Sequence, residues 1–218
     1  MTAAARKGPE RSAETRERLL LTALHLYADK GIHAVSLRRI SAEAGSKNSA
    51  AMHYHFNNQQ GVLEALMRMI GRELEQLAKA ERSDTAGKLS LRQAFRNHLQ
   101  PLVQLRTSQP WGADAVRFLS RLVSEQDDKL ASLINDVYAP FWRRMDKALA
   151  HSLPDLPHTV RKLRLLFITT NVVHGVAESN WLSHSPLGDL SSLDEDTLLD
   201  HLVDYLVGGL TASSFTTA

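Results

Sequence analysis

The residues whose types and spacing could do chemistry begin at Asn48-Ser49-Ala50-Ala51-Met52-His53-Tyr54-His55. Asn48, His53 and Tyr54 carry hydrogen-bonding groups of the kind that meet base edges and phosphates in a major groove. Ser49 and Ala50 are small enough to let a backbone come close, while Ala51, Met52 and Phe56 can anchor the segment inward. A second set is apolar and aromatic: Trp111, Phe118, Tyr138, Phe141, Trp142, Phe167 and Trp181. With Met145, Asn171, His174 and Glu178 it has the make-up of a small-molecule cavity, apolar with a few polar groups. For any one of these residues a place in the core is the commoner role. His174 and Glu178 stand four apart on one helix face, but a metal asks for a third ligand, so a hydrogen-bonded pair is the better reading.

Catalytic signatures are missing. There is no GxSxG, HExxH, phosphate loop or dinucleotide fingerprint, and with no cysteine there is no thiolate nucleophile or thiolate metal site. The sequence therefore disfavours an enzyme and calls for no metal and no cofactor. The absence of cysteine also fits a reducing compartment. The first residues are charged and lack the apolar run of a secretory signal, and no stretch has the roughly 18 apolar residues of a membrane span.

Helical periodicity recurs along all 218 residues, and two-residue alternation never persists, so the expected class is all-α. Residues 1–13 read as a mobile basic arm. A first helix is expected from Thr15 to Lys30 on the stripe Leu20, Ala23, Leu24, Tyr27, ended by Gly31. Ser36 is a good N-cap for a short second helix with Leu37, Ile40 and Ala44 inward and Arg38, Arg39 and Glu43 outward. Gly45 permits a sharp turn into a third helix over Asn48–His55. Asn57 or Asn58 caps a fourth, running to about Arg82 on Val62, Leu63, Leu66, Ile70, Leu74 and Leu77.

Residues 14–58 thus form a helix-turn-helix unit, helix 59–82 leads out of it, and residues 83–218 form a second helical part. Its helices are expected at Leu89–Arg106 with a bend at Pro101, Gly112–Glu125, Asp128–Ser152, His158–His184 and Asp194–Ala212. Charge follows the same division. Residues 1–60 hold nine Lys/Arg against five Asp/Glu, and the rest hold seventeen against nineteen. A basic head on a slightly acidic body points to an anionic partner for the head alone. Helical periodicity by itself leaves DNA binding and an ordinary three-helix bundle about equally favoured.

Three stretches sharpen this: Leu20–Gly31 (LLTALHLYADKG), Val35–Gly45 (VSLRRISAEAG) and Ala50–Leu66 (AAMHYHFNNQQGVLEAL). They resemble the DNA-binding domain of the tetracycline-repressor (TetR) family of bacterial transcriptional regulators, with Tyr54-His55-Phe56 as the sharpest match. The resemblance implies backbone contacts from Ser36, Tyr54 and His55 and base reading from Asn48, Ser49, Ala50 and His53. Arg38, Arg39, Lys47 and the arm (Arg6, Lys7, Arg11) would add phosphate contacts. Two departures stand out. The turn between Gly45 and Ala50 is one residue longer than the commoner form, and Gln59 stands where a phosphate-meeting Lys is frequent. A neutral amide releases no counterion on meeting a phosphate.

In the body, residues 165–177 carry no charge, and the last helix is apolar on a wide face through Leu198, Leu199, Leu202, Val203, Leu206, Val207 and Leu210. Helices apolar on two sides must bury both. A second subunit is the expected cover, through Val173, Ala177, Leu198, Leu202, Leu206 and Leu210, and the resemblance implies the same homodimer. It also implies a cytoplasmic, nucleoid-associated repressor on a palindromic double-stranded DNA operator, released by a small effector that the apolar body suggests is lipophilic or aromatic. A transcriptional activator and an effector-independent architectural DNA-binder are the alternatives.

Overall fold

Ala-, Leu-, Glu- and Arg-rich sequence favours helix in the first thirty residues, and helix α1 (Lys7–Lys30) takes up nearly all of them. The computed structural model of the chain describes residues 7–46, 50–80, 90–124, 128–178, 186, 188–189 and 192–213. α1 starts at Lys7 rather than Thr15, so residues 7–13 are helical and not an arm. Pro9 falls in the first turn, where a missing N–H breaks no intrahelical bond, and Glu10 complements the helix dipole there.

α2 (Leu37–Glu43) begins at Ser36, whose hydroxyl accepts from the Arg39 N–H at 3.2 Å. The turn that follows passes through Gly45 at φ +66, a conformation that costs glycine nothing. α3 (Ala51–Phe56) is shorter than expected and ends at Asn57, itself left-handed at φ 67. α4 (Gln59–Ala80) is capped by Asn58, whose side-chain oxygen accepts from the Gly61 N–H at 2.9 Å. A Cβ on Gly61 would lie 2.0 Å from the Phe56 carbonyl oxygen, so the α3–α4 corner closes only over a glycine.

The body comprises α5 (Leu91–Ser108), α6 (Gly112–Ser124), α7 (Asp128–Ser152), α8 (His158–Ala177) and α9 (Glu195–Thr211). Ser90 and Gln93 form a reciprocal capping box at the start of α5, and buried Pro101 sits inside that helix without ending it. Asp194 caps α9 by accepting from both the N–H and the hydroxyl of Thr197, each at 2.8 Å. α8 is described to Ala177, and the expected continuation over 179–185 lies outside the described residues. Among the described residues the elements are all helical apart from an isolated bridge at Gly188.

One apolar core runs from Leu19 in α1 through Ile70, Phe95, Leu119 and Ile168 to Leu210 in α9. α1 and α6 share an extensive contact, with the Tyr27 and Phe118 rings stacked across it. The N-terminal helices therefore join the body through packed side chains, and α4 adds a second strut against α5.

Candidate nucleic-acid interface

The sequence places apolar residues of α3 at Met52 and Phe56, and both are buried beneath the helix. α2 contributes Ile40 and α1 contributes Leu24 and Tyr27 to the same floor. Arg16 lies over the Phe56 ring at 5.0 Å from its centroid, closing the floor from the side. With that face fixed, the opposite face of α3 has to look outward. Ala50, His53 and Tyr54 are exposed, and Tyr54 keeps 80% of its surface. An aromatic residue that open, on a helix otherwise well anchored, is poised for a partner rather than for the core.

Three side chains acquire definite orientations. The His53 ring Nδ1 lies 2.8 Å from the Asn57 carbonyl, which can only accept, so Nδ1 carries the hydrogen. In that tautomer Nε2 is the ring's acceptor. His55 is half-buried against Tyr54, edge to face at 4.9 Å, and burial with the Arg16 charge lowers its pKa below the usual imidazole value. A neutral His55 is therefore favoured, its ring packed on that of Tyr54. Gln59 turns inward: its amide donates to the carbonyls of Ile32 and Val35 at 3.0 and 3.5 Å. In this position Gln59 straps α4 to the α1–α2 loop.

Arg38 and Arg39 are exposed at the start of α2, and Arg39 approaches Glu43 at 4.0 Å, a loose pair that leaves its guanidinium available. Ser36 uses its hydroxyl in capping and sits at the same surface. Lys47, Asn48 and Ser49 lie outside the described residues. Ser36, Arg38, Arg39, Ala50, His53 and Tyr54 are thus exposed on or beside α2 and α3.

The described aromatic residues of the body occupy separate places in the fold. Phe118 is fully buried against Tyr27, Met145 is buried, and Trp111 and Trp142 are partly buried against the core. Phe167 is 56% exposed, and Asn171 beside it donates back to the Phe167 carbonyl. His174 meets Ser120 at 2.8 Å, not Glu178, so the pair imagined within α8 is replaced by a link from α8 to α6. The Phe141 side chain and Trp181 lie outside the described residues.

The surface expected to meet a second subunit also rearranges. Val173, Ala177, Leu206 and Leu210 are buried within the protomer's own fold, while Leu198 and Leu202 are half-buried. The open apolar residues are instead Leu163, Leu166 and Phe167 on α8 and Tyr205 on α9. Both helices are apolar on more than one side, and of the six residues expected to face a partner four are buried and two half-buried in the single chain. A helical wheel on Leu163, Leu166 and Phe167 would have found the open stripe.

Residues 19–66 match the family described as "Bacterial regulatory proteins, tetR family", and residues 96–209 match "Tetracyclin repressor-like, C-terminal domain". The chain belongs to the TetR family. TetR proteins are DNA-binding transcriptional regulators rather than enzymes, and the α1–α3 unit is the family's helix-turn-helix. The fold is shared with solved TetR-like structures of low identity. The fatty acid degradation regulator FadR from Bacillus halodurans is 17% identical with a TM-score of 0.62, over 91% of this chain and 97% of that one. NalD from Pseudomonas aeruginosa, the secondary repressor of the MexAB-OprM multidrug efflux pump, is 23% identical at 0.61, over 92% and 97%. A transcriptional regulator from Saccharomonospora viridis, in complex with choline, is 22% identical at 0.57, over 89% and 94%. Among the described residues no helix is long and apolar enough to cross a membrane, and no three His, Cys, Asp or Glu cluster as for a metal.

Proposed function

We propose that the protein is a homodimeric repressor that binds a palindromic operator and is released from it by a small, lipophilic ligand. The observation that carries the reading is the two-faced α3, with Met52 and Phe56 buried and His53 and Tyr54 open. In this reading Tyr54, Ser36, Arg38, Arg39 and Lys47 meet phosphates, and Asn48, Ser49, Ala50 and His53 face base edges. Residues 14–58 form the reading head, and residues from 83 onward hold effector and partner. The open residues Leu163, Leu166 and Phe167 on α8 and Tyr205 on α9 support a second copy as their cover, since large apolar side chains clustered in water are costly.

The mechanism is a coupling free energy. A ligand that prefers one geometry of the body shifts α6, and α6 carries α1 with it through Tyr27 and Phe118. The separation of the two recognition helices changes, and operator affinity falls. The test is fluorescence anisotropy of a selected operator against a panel of lipophilic metabolites. Release by at least one compound is expected. Operator binding that no compound alters, with transcription raised rather than lowered in cells, would overturn the repressor reading.

A further inference from the structure

Arg16 belongs to α1, yet its guanidinium lies over the ring of Phe56, the last residue of α3, at 5.0 Å from the centroid. From there a run of rings leads to the surface. Phe56 meets His55 at 6.2 Å and His55 meets Tyr54 at 4.9 Å, with Tyr54 open to solvent. The Arg16 charge reaches His55, where it adds to burial in lowering the imidazole pKa. A cation from the first helix is thus held beside the end of the third.

No carboxylate among the described residues neutralises that cation. The residues three and four away along α1 are Ser12, Ala13, Leu19 and Leu20, so none on its own face could. Arg16 is exposed, and among the described residues it forms no ion pair and donates no hydrogen bond. Its contact with Phe56 engages the charge and uses none of its N–H donors. The start of α4, immediately beyond, brings no cation of its own. Gln59 and Gln60 stand there, and the Gln59 amide donates inward to Ile32 and Val35.

We propose that Arg16 is a further DNA-binding residue, its guanidinium meeting a backbone phosphate of the operator beside the end of α3. A guanidinium fork matches phosphate oxygens, and one already held over a ring loses less freedom on meeting them than a mobile side chain does. A phosphate contact of this kind fixes how the protein sits on the duplex and carries no sequence information. It also anchors α1, the helix that packs on α6, to the DNA directly. The inference rests on the assignment of α3 as the reading helix.

Fluorescence anisotropy of the full-length protein on a selected operator and on a random duplex, across a salt series, tests the contact. Circular dichroism confirms that each variant is folded. Arg16→Met keeps an aliphatic stem on the Phe56 ring and removes the charge. It should bind both duplexes about 10-fold more weakly and keep the ratio between them. Its salt slope should fall by about 0.9 per protomer. Arg16→Lys keeps the charge and should keep the slope. Arg18→Met, two residues on and across the helix, should change neither affinity nor slope. Arg16→Gln takes the place of the methionine variant should that one not fold. An unchanged slope in Arg16→Met, an equal fall in Arg18→Met, or a slope in Arg16→Lys as low as in Arg16→Met would each overturn the contact. Weakening confined to the operator would also overturn it, because support of α3 through Phe56 alone would show in that way. A wild type that binds no duplex would overturn the assignment of the reading helix, and the contact with it, whereas a wild type that binds beside an Arg16→Met of unchanged slope overturns the contact alone.

Discussion

Tyr27 of α1 and Phe118 of α6 stack with ring centroids 6.3 Å apart and planes 26° from parallel, both fully buried. The pair sits where the helix-turn-helix meets the body, so the joint has the density of a core and not the slack of a linker. Burial also pushes the Tyr27 phenol up to about 12, and the hydroxyl stays neutral across any physiological range.

Phe118→Ala leaves a cavity at this joint and is expected to cost about 3–5 kcal/mol of stability. Thermal unfolding should remain a single transition at lower temperature, because head and body share one core. Two separated transitions in the wild-type protein would contradict that coupling.

α9 is tied to α5 by ion pairs: Arg92 meets Asp204 at 2.6 Å and Asp200 at 3.3 Å, and Arg96 meets Asp200 and Asp196, each at 2.8 Å. The bond from Arg96 holds the Asp200 carboxyl below the usual carboxylate range. A carboxyl depressed in the folded state stabilises fully above its unfolded value, about 3.9, and that contribution is lost as pH falls through the lower folded value. The stability difference between wild type and Arg96→Gln should therefore be present at pH 7, shrink as pH drops below about 4, and shrink also in high salt. Urea midpoints across pH would show it. A difference that does not change with pH would mean that Arg96 acts through packing alone.

Leu166 and Phe167 are 60% and 56% exposed and Tyr205 is 66% exposed, so charging them leaves the protomer's core intact. Leu166→Glu with Tyr205→Glu should yield a folded monomer by sedimentation velocity. Leu206→Asp, by contrast, buries an unpaired charge within the protomer and should cost several kcal/mol of stability. A double variant that sediments unchanged from a dimeric wild type would move the interface elsewhere.

Tyr54→Phe removes a hydroxyl from an exposed ring and should weaken operator and random DNA alike. Arg39→Ala should do the same and lower the salt slope by about one phosphate's share. Gly61→Ala forces a methyl against the Phe56 carbonyl and should disturb the α3–α4 corner enough to impair both.

The helix order, Ser36 as a cap and the buried pair Met52 and Phe56 were legible because each rests on local spacing. What was not legible depends on partners distant in sequence. Gln59 could not be read as a strap because Ile32 and Val35 reach it only through the fold. His174 was paired within its own helix, whereas its partner Ser120 lies 54 positions away. The two apolar sides of α8 and α9 look alike in composition, and only packing against α5 and α6 decides which is inner. His25 with Asp114, 89 positions apart, left no signal in either local segment.

The central claim is that α3 reads bases, and selection of bound sequences from a random duplex pool by wild type and His53→Ala tests it most directly. With Nδ1 donating to the Asn57 carbonyl, this tautomer of His53 offers Nε2 as an acceptor, which suits the amino groups of adenine or cytosine. The wild type should return a palindrome with half-site centres about 34 Å apart or a small multiple of it. His53→Ala should keep the palindrome and flatten an adenine or cytosine preference at one symmetric position, at a cost of about 1–3 kcal/mol. Single asymmetric sites from the wild type, or an identical motif from the variant, would contradict it.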